Sequence, residues 1–135
     1  FTKLIDELQL NNNCLLHHTV SNIAEKYCMS SIFVLSSRYE GFGLVLAEAM
    51  SCGIPCVSFD CPHGPSDIIK DYEDGLLVEK ENIKELADKI CYLIENENVR
   101  IKMGHKAREN VKRFLPENVM PQWKNLFESL TYSSK

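Results

Sequence analysis

Short apolar runs alternate with helical patterns along this chain, and that alternation constrains the fold more than any other feature. Ser31-Ile32-Phe33-Val34-Leu35-Ser36-Ser37 and Pro55-Cys56-Val57-Ser58-Phe59 have strand length and β-branched or aromatic residues at their centres. The first of them shows no polar alternation, which predicts a strand buried on both faces. Asp74-Gly75-Leu76-Leu77-Val78 reads as a turn and a brief strand, and Cys14-Leu15-Leu16-His17-His18 as a further short one. Helices are predicted from Ser21 to Met29, from Leu44 to Ser51 with Gly53 just past the end, from Ser66 to Lys70, and from Val99 to Phe114. Ile83, Leu86, Ala87, Ile90, Leu93 and Ile94 mark one face of another. A last helix starts at Pro116 and carries Val119, Trp123, Phe127 and Leu130. Repeated strand–helix units imply an α/β fold: a doubly wound, Rossmann-like parallel sheet flanked by helices. At 135 residues the chain, 1–135, reads as a single domain with one core.

The formal charge of −4 speaks against a nucleic-acid partner, because such proteins carry a basic excess over the phosphate they meet. A nucleotide remains compatible, since backbone amides hold phosphate without net positive charge. Cys14, Cys28, Cys52, Cys56, Cys61 and Cys91 form no C-x-x-C pair, and Cys52, Cys56, Cys61 with His63 nearby lack metal-site spacing. Most of them sit in apolar runs and read as small buried hydrophobes of a reducing, cytoplasmic compartment. No apolar run approaches the roughly 20 residues that span a bilayer. Phe1-Thr2-Lys3-Leu4-Ile5-Asp6 resembles the middle of an amphipathic helix, so the chain is expected to be a piece of a longer protein.

In a doubly wound sheet, ligands bind beyond the carboxyl ends of the strands. The loop after Leu35 lies at such an end, contains Gly41 and Gly43, and runs into a helix N-terminus, whose free N–H groups and positive dipole suit phosphate. On these residues alone, a tight strand–helix turn explains the glycines equally well. Glu48 is the one charged residue in Phe42-Gly43-Leu44-Val45-Leu46-Ala47-Glu48-Ala49-Met50. A buried carboxylate needs donors, so it is expected to meet either a core Lys or Arg or the hydroxyls of a ribose. Glu40 stands eight positions earlier, roughly 12 Å away if the whole span were helical.

The segment from Ser37 through Glu40-Gly41-Phe42-Gly43 and Glu48 to Val57 resembles the Glu-x7-Glu motif of the group 1 glycosyltransferases, a retaining family with a GT-B fold. The resemblance continues through Gly64-Pro65-Ser66-Asp67-Ile68-Ile69, Asp74-Gly75-Leu76-Leu77-Val78 and Met103-Gly104-His105-Lys106-Ala107-Arg108, covering nearly the whole chain. It implies the C-terminal, donor-binding half of a GT-B enzyme. Glu40 would then be the catalytic residue that contacts donor sugar hydroxyls. Amides at Gly41, Phe42, Gly43 and Leu44 would hold the sugar and diphosphate, Glu48 the ribose, and His18, Thr19 and Val20 the base.

The resemblance also implies an opening strand and an acceptor-binding domain upstream of Phe1, with a glycan or lipid-linked acceptor held there and contact with the inner membrane face made by that half. The isolated chain is expected to bind donor weakly and not to turn over. No cofactor is implied beyond the nucleotide-sugar donor itself, and no metal, since no Asp-x-Asp cluster lies near Glu40. The Gly-Pro-Ser-acidic variant resembles enzymes of cell-surface polysaccharide synthesis. His18 replaces a usual glycine, and Asp67 a common glutamate. Arg38, the basic residue beside the motif, reads as a surface side chain. Two placements of the Trp123 and Phe127 face stay open: within this domain or bracing the absent one. A GT-B-like epimerase and a non-catalytic nucleotide-binding module are the alternative functions.

Overall fold

A computed structural model describes residues 1–132, and the terminal segment 133–135 lies outside them. Three strands form a parallel sheet in the order β1 (Phe33–Leu35), β2 (Cys56–Asp60), β3 (Gly75–Glu79). Phe33 pairs with Cys56, and Cys56 in turn with Gly75. β2 is central, and its first four residues, Cys56, Val57, Ser58 and Phe59, are buried because helices cover both faces of the sheet there.

The pleat divides those residues between two cores. Cys56 and the β3 residue Leu77 face a cluster built by α2 (Ile23–Cys28), α3 (Leu44–Ser51), α4 (Pro65–Ile68) and the 3-10 turn Val111–Phe114. Val57, Phe59, Leu76 and Val78 face the other side, where α5 (Ile83–Glu95) supplies Leu86, Ile90 and Leu93. α6 (Glu97–Asn110) serves both, with Met103 in one cluster and Ala107 in the other. Helices therefore cover both faces, as a doubly wound sheet demands. Asp74, fully buried, ties the ends together: its carboxylate accepts from the Lys70 N–H at 2.7 Å and the Asn110 amide at 2.9 Å.

Several expectations are corrected. Residues 14–18 form no strand, and Leu15 and Leu16 are exposed. Among the described residues β1 has β2 as its one neighbour, so it stops after three residues and Val34 stays exposed instead of being buried on both faces. In α5, Ile83, Ala87 and Ile94 are exposed, leaving the narrower Leu86, Ile90, Leu93 stripe on the sheet. Before α2, the N-terminal part is α1 (Thr2–Glu7) and exposed coil. The last helix, α7 (Pro116–Tyr132), leaves Trp123 and Phe127 exposed and stacked 5.8 Å apart, so this domain does not cover that face.

Candidate donor-binding site

The loop after β1 and the loop after β2 meet at the carboxyl edge of the sheet, where such folds bind ligands. α3 begins at Leu44, so the stretch from Glu40 to Gly43 is loop and the span to Glu48 is helical only in part. Gly43 has φ +87°, a left-handed conformation natural to glycine, and serves as N-cap. It has no side chain to offer, and the first turn contains no acidic residue. The N-terminus of α3 thus presents uncapped N–H groups and its positive dipole end. Beside it, Gly41 has an ordinary φ and nothing within 4 Å of where a Cβ would stand. The fold itself does not demand glycine there. Phe42 is anchored by an edge-to-face contact with Phe114, centroids 5.4 Å apart, and Leu44 projects outward with 67% exposure.

Glu40 is half-buried and makes no hydrogen bond or ion pair among the described residues. Burial first, and then the Glu40 charge, push the Cys61 thiol up. Arg38 is held by Glu81 at 2.8 Å on the exposed surface, away from any role set by this loop alone. On the facing loop, His63 adopts φ +65° and its ring packs edge-on to Tyr39, centroids 6.0 Å apart. The Gly64 N–H donates to the Asp67 carboxylate at 3.3 Å, so the shorter acidic arm still closes this turn. Arg113 fastens the same turn by donating to the Ile68 carbonyl at 2.6 Å.

Glu48 departs from expectation. It is exposed, because Leu46, Ala49 and Met50 take the inward face of α3 and leave positions 44, 48 and 51 outward. Its partner is neither Lys nor Arg but the Tyr27 hydroxyl, which donates to Oε2 at 3.2 Å. Tyr27 carries no motif, and its only sequence signal is a place on the helix 21–29. It is 6% exposed and packs edge-on to Phe33 at 5.6 Å. Burial, then the hydrogen bond and charge of Glu48, raise its phenol from 10.0 to about 12. A raised folded pKa means that the contribution to stability is complete below pH 10.0 and lost as pH climbs toward about 12. Urea midpoints stepped through that window are expected to fall more steeply for the native chain than for Tyr27→Phe; parallel curves would refute the coupling.

His18, Thr19 and Val20 line an open groove of about 650 Å³ whose other wall includes Lys26, Met29 and Ser30 around the end of α2. α2 therefore connects this groove to Glu48 through Tyr27. Glu40 is not among the residues lining it. Contrary to expectation, Cys14, Cys28 and Cys91 are exposed, and only Cys56 and Cys61 are buried. Among the described residues no group of three His, Cys, Asp or Glu is arranged to hold a metal ion, and no helix is long and apolar enough to cross a membrane.

A family model for glycosyl transferases group 1 matches residues 1–110. The chain belongs to that family. It is similar to a poly(ribitol-phosphate) alpha-N-acetylglucosaminyltransferase of Staphylococcus aureus, 38% identical over 128 residues, covering 94% of this chain and 26% of the relative. The structure is similar to that of a TarM variant from S. aureus in complex with fondaparinux, alpha-GlcNAc-glycerol and UDP, at a TM-score of 0.88 and 37% identity, covering 93% of this chain and 26% of that one. It is also similar to the pneumococcal O-GlcNAc transferase GtfA in complex with UDP and GlcNAc, at 0.81 and 26% identity, over 96% and 27% of the two chains. The group 1 chain described here thus spans about a quarter of the length of these relatives. Its sheet and helices are those of a GT-B glycosyltransferase.

Proposed function

We propose that this chain is the donor-binding half of a retaining glycosyltransferase that moves a sugar from a nucleotide-diphosphate sugar to a glycan or lipid-linked acceptor in cell-surface polymer synthesis. The observation that carries this reading is the uncapped N-terminus of α3, opened by Gly43 and flanked by Glu40 and Glu48. In it, amides from Gly41 to Leu44 cradle the sugar and diphosphate, and Glu40 orients sugar hydroxyls. Glu48, steadied by Tyr27, accepts from the ribose, and the base lies in the groove of His18, Thr19 and Val20.

Such an arrangement favours charge that develops on the leaving diphosphate as the bond to the sugar breaks, without reorganising at that moment. The reading uses no metal, because the helix dipole and amides face the phosphate directly. The acceptor, and attachment to the inner face of the membrane, are assigned to an N-terminal half upstream, so transfer needs the whole protein in the cytoplasm. The polymer context rests on the poly(ribitol-phosphate) alpha-N-acetylglucosaminyltransferase named above.

Calorimetric titration of the whole protein with UDP-, GDP- and ADP-sugars identifies the base. Against the nucleotide that binds, Glu48→Ala is expected to weaken affinity by about tenfold, the cost of one charged hydrogen-bond partner. The reading is wrong if Glu48→Ala binds as tightly as the native protein.

A further inference from the structure

A single phenol holds the carboxylate assigned to the ribose. Tyr27, from α2, is 6% exposed and sits in the same buried cluster as Leu46, Ala49 and Met50, the inward residues of α3. Its ring packs edge-on to Phe33 of β1, centroids 5.6 Å apart. Behind it the end of α2 is closed by the Ser30 N–H, which donates to the Tyr27 carbonyl at 2.8 Å. The ring is thus held by α3 and β1, and its hydroxyl donates to Glu48 Oε2 at 3.2 Å. The Glu48 carboxylate makes no other hydrogen bond or ion pair among the described residues. We propose that Tyr27 is a positioning residue that sets the Glu48 carboxylate for a pair of neighbouring hydroxyls, and that it thereby makes the site prefer ribonucleoside to deoxyribonucleoside diphosphates.

The kind of donor matters. A Lys or Arg partner would cancel the charge of Glu48, and an Arg could occupy both of its oxygens at once. A phenol is neutral and gives one hydrogen, so it fills one of the roughly four acceptor positions of a carboxylate. Oε1 and the second lone pair of Oε2 stay open to a ligand. Burial, followed by the bond to Glu48, raises the phenol to about 12, so it remains a donor at neutral pH.

An exposed glutamate samples several rotamers and loses that freedom when a ligand binds. Here Tyr27 removes it on folding, before any ligand arrives. Two neighbouring hydroxyls gain most from an orientation set in advance, since both must reach one carboxylate together. Deoxyribose lacks one of the pair and gains less. Discrimination therefore depends on how the carboxylate is turned, and not only on its charge. The same short helix carries Lys26 in the wall facing His18, Thr19 and Val20, so α2 serves both the ribose contact and the base groove. The inference rests on the ribose reading of Glu48 above.

Calorimetry on the whole protein compares UDP, GDP or ADP, whichever the titrations above select, with the same diphosphate carrying deoxyribose. The native protein is expected to prefer the ribose form by about fivefold, the worth of one hydroxyl contact to a charged acceptor. Glu48→Ala is expected to bind both forms alike. Tyr27→Phe keeps the ring against Phe33 and leaves the exposed Glu48 carboxylate to water, so the fold is retained. Its preference is expected to drop to about twofold or less, through weaker binding of the ribose form alone. With Glu48→Ala in place, adding Tyr27→Phe is expected to change nothing further. A hydroxyl with a merely structural role would weaken both nucleotides by the same factor. That outcome, or an undiminished preference in Tyr27→Phe, overturns the proposal. If instead Glu48→Ala keeps the native preference, the ribose reading itself fails and the role of Tyr27 falls with it.

Discussion

Gly64→Ala is expected to cost about 3 kcal/mol of stability, the sum of a strained backbone and an overpacked contact. Gly64 has φ +107°, where any L side chain is strained. A Cβ there would lie far inside van der Waals contact distance of the Phe42 carbonyl oxygen and 2.5 Å from the carbonyl carbon. Both partners are backbone, so neither can swing aside. Phe42 is also pinned by Phe114, and the turn after Gly64 by Arg113, which closes the routes of relaxation. The strain must therefore pass into the loop 40–43 that leads to α3. Thermal unfolding is expected to show a Tm lower by about 10 °C, together with loss of nucleotide-sugar binding. A Tm within about 2 °C of the native value would show that the two loops are not packed as described.

Glu40→Ala is expected to do the reverse: to leave the fold intact and remove transfer. Glu40 makes no hydrogen bond or ion pair among the described residues, so its carboxylate is not needed to hold the loop. If it orients the sugar while charge separates, its loss lowers kcat of the whole protein by about 10²–10³, as for other single groups aimed at a transition state. Affinity for the nucleotide without its sugar should hardly change, because that contact belongs to Glu48 and the groove of His18, Thr19 and Val20. The pair of variants thus separates sugar from nucleotide: Glu40→Ala acts on turnover, Glu48→Ala on binding. Native turnover in Glu40→Ala would remove the sugar assignment. Native turnover in both would leave this surface without a part in the reaction.

Much of the architecture is legible in the chain itself. Residues 55–59 read as a strand, and β2 forms there from Cys56, with its first four residues buried. The turn at Gly43 and the helix from Leu44 to Ser51 are local matters of φ and hydrogen bonding, and they stand where the residues predict. The short helix after Gly64 is expected from Ser66 to Lys70 and runs instead from Pro65 to Ile68: its start reflects proline's fixed φ, and it ends where Ile69 turns extended.

Features that depend on near neighbours are therefore legible in the chain: helical periodicity, turn chemistry, the strands at 33–35, 56–59 and 75–78, and the motif's place after a strand end. Strand order and the contacts between elements emerge only in the folded chain. Tyr27 reaches Glu48 over 21 positions, and Gly64 presses on Phe42 from another loop. Glu48, apolar on both sides in the chain, turns out exposed because three neighbours already fill the inward face of α3. Residues 14–18, strand-like in composition, form no strand because a strand requires a partner for its backbone, which residue pattern alone cannot supply.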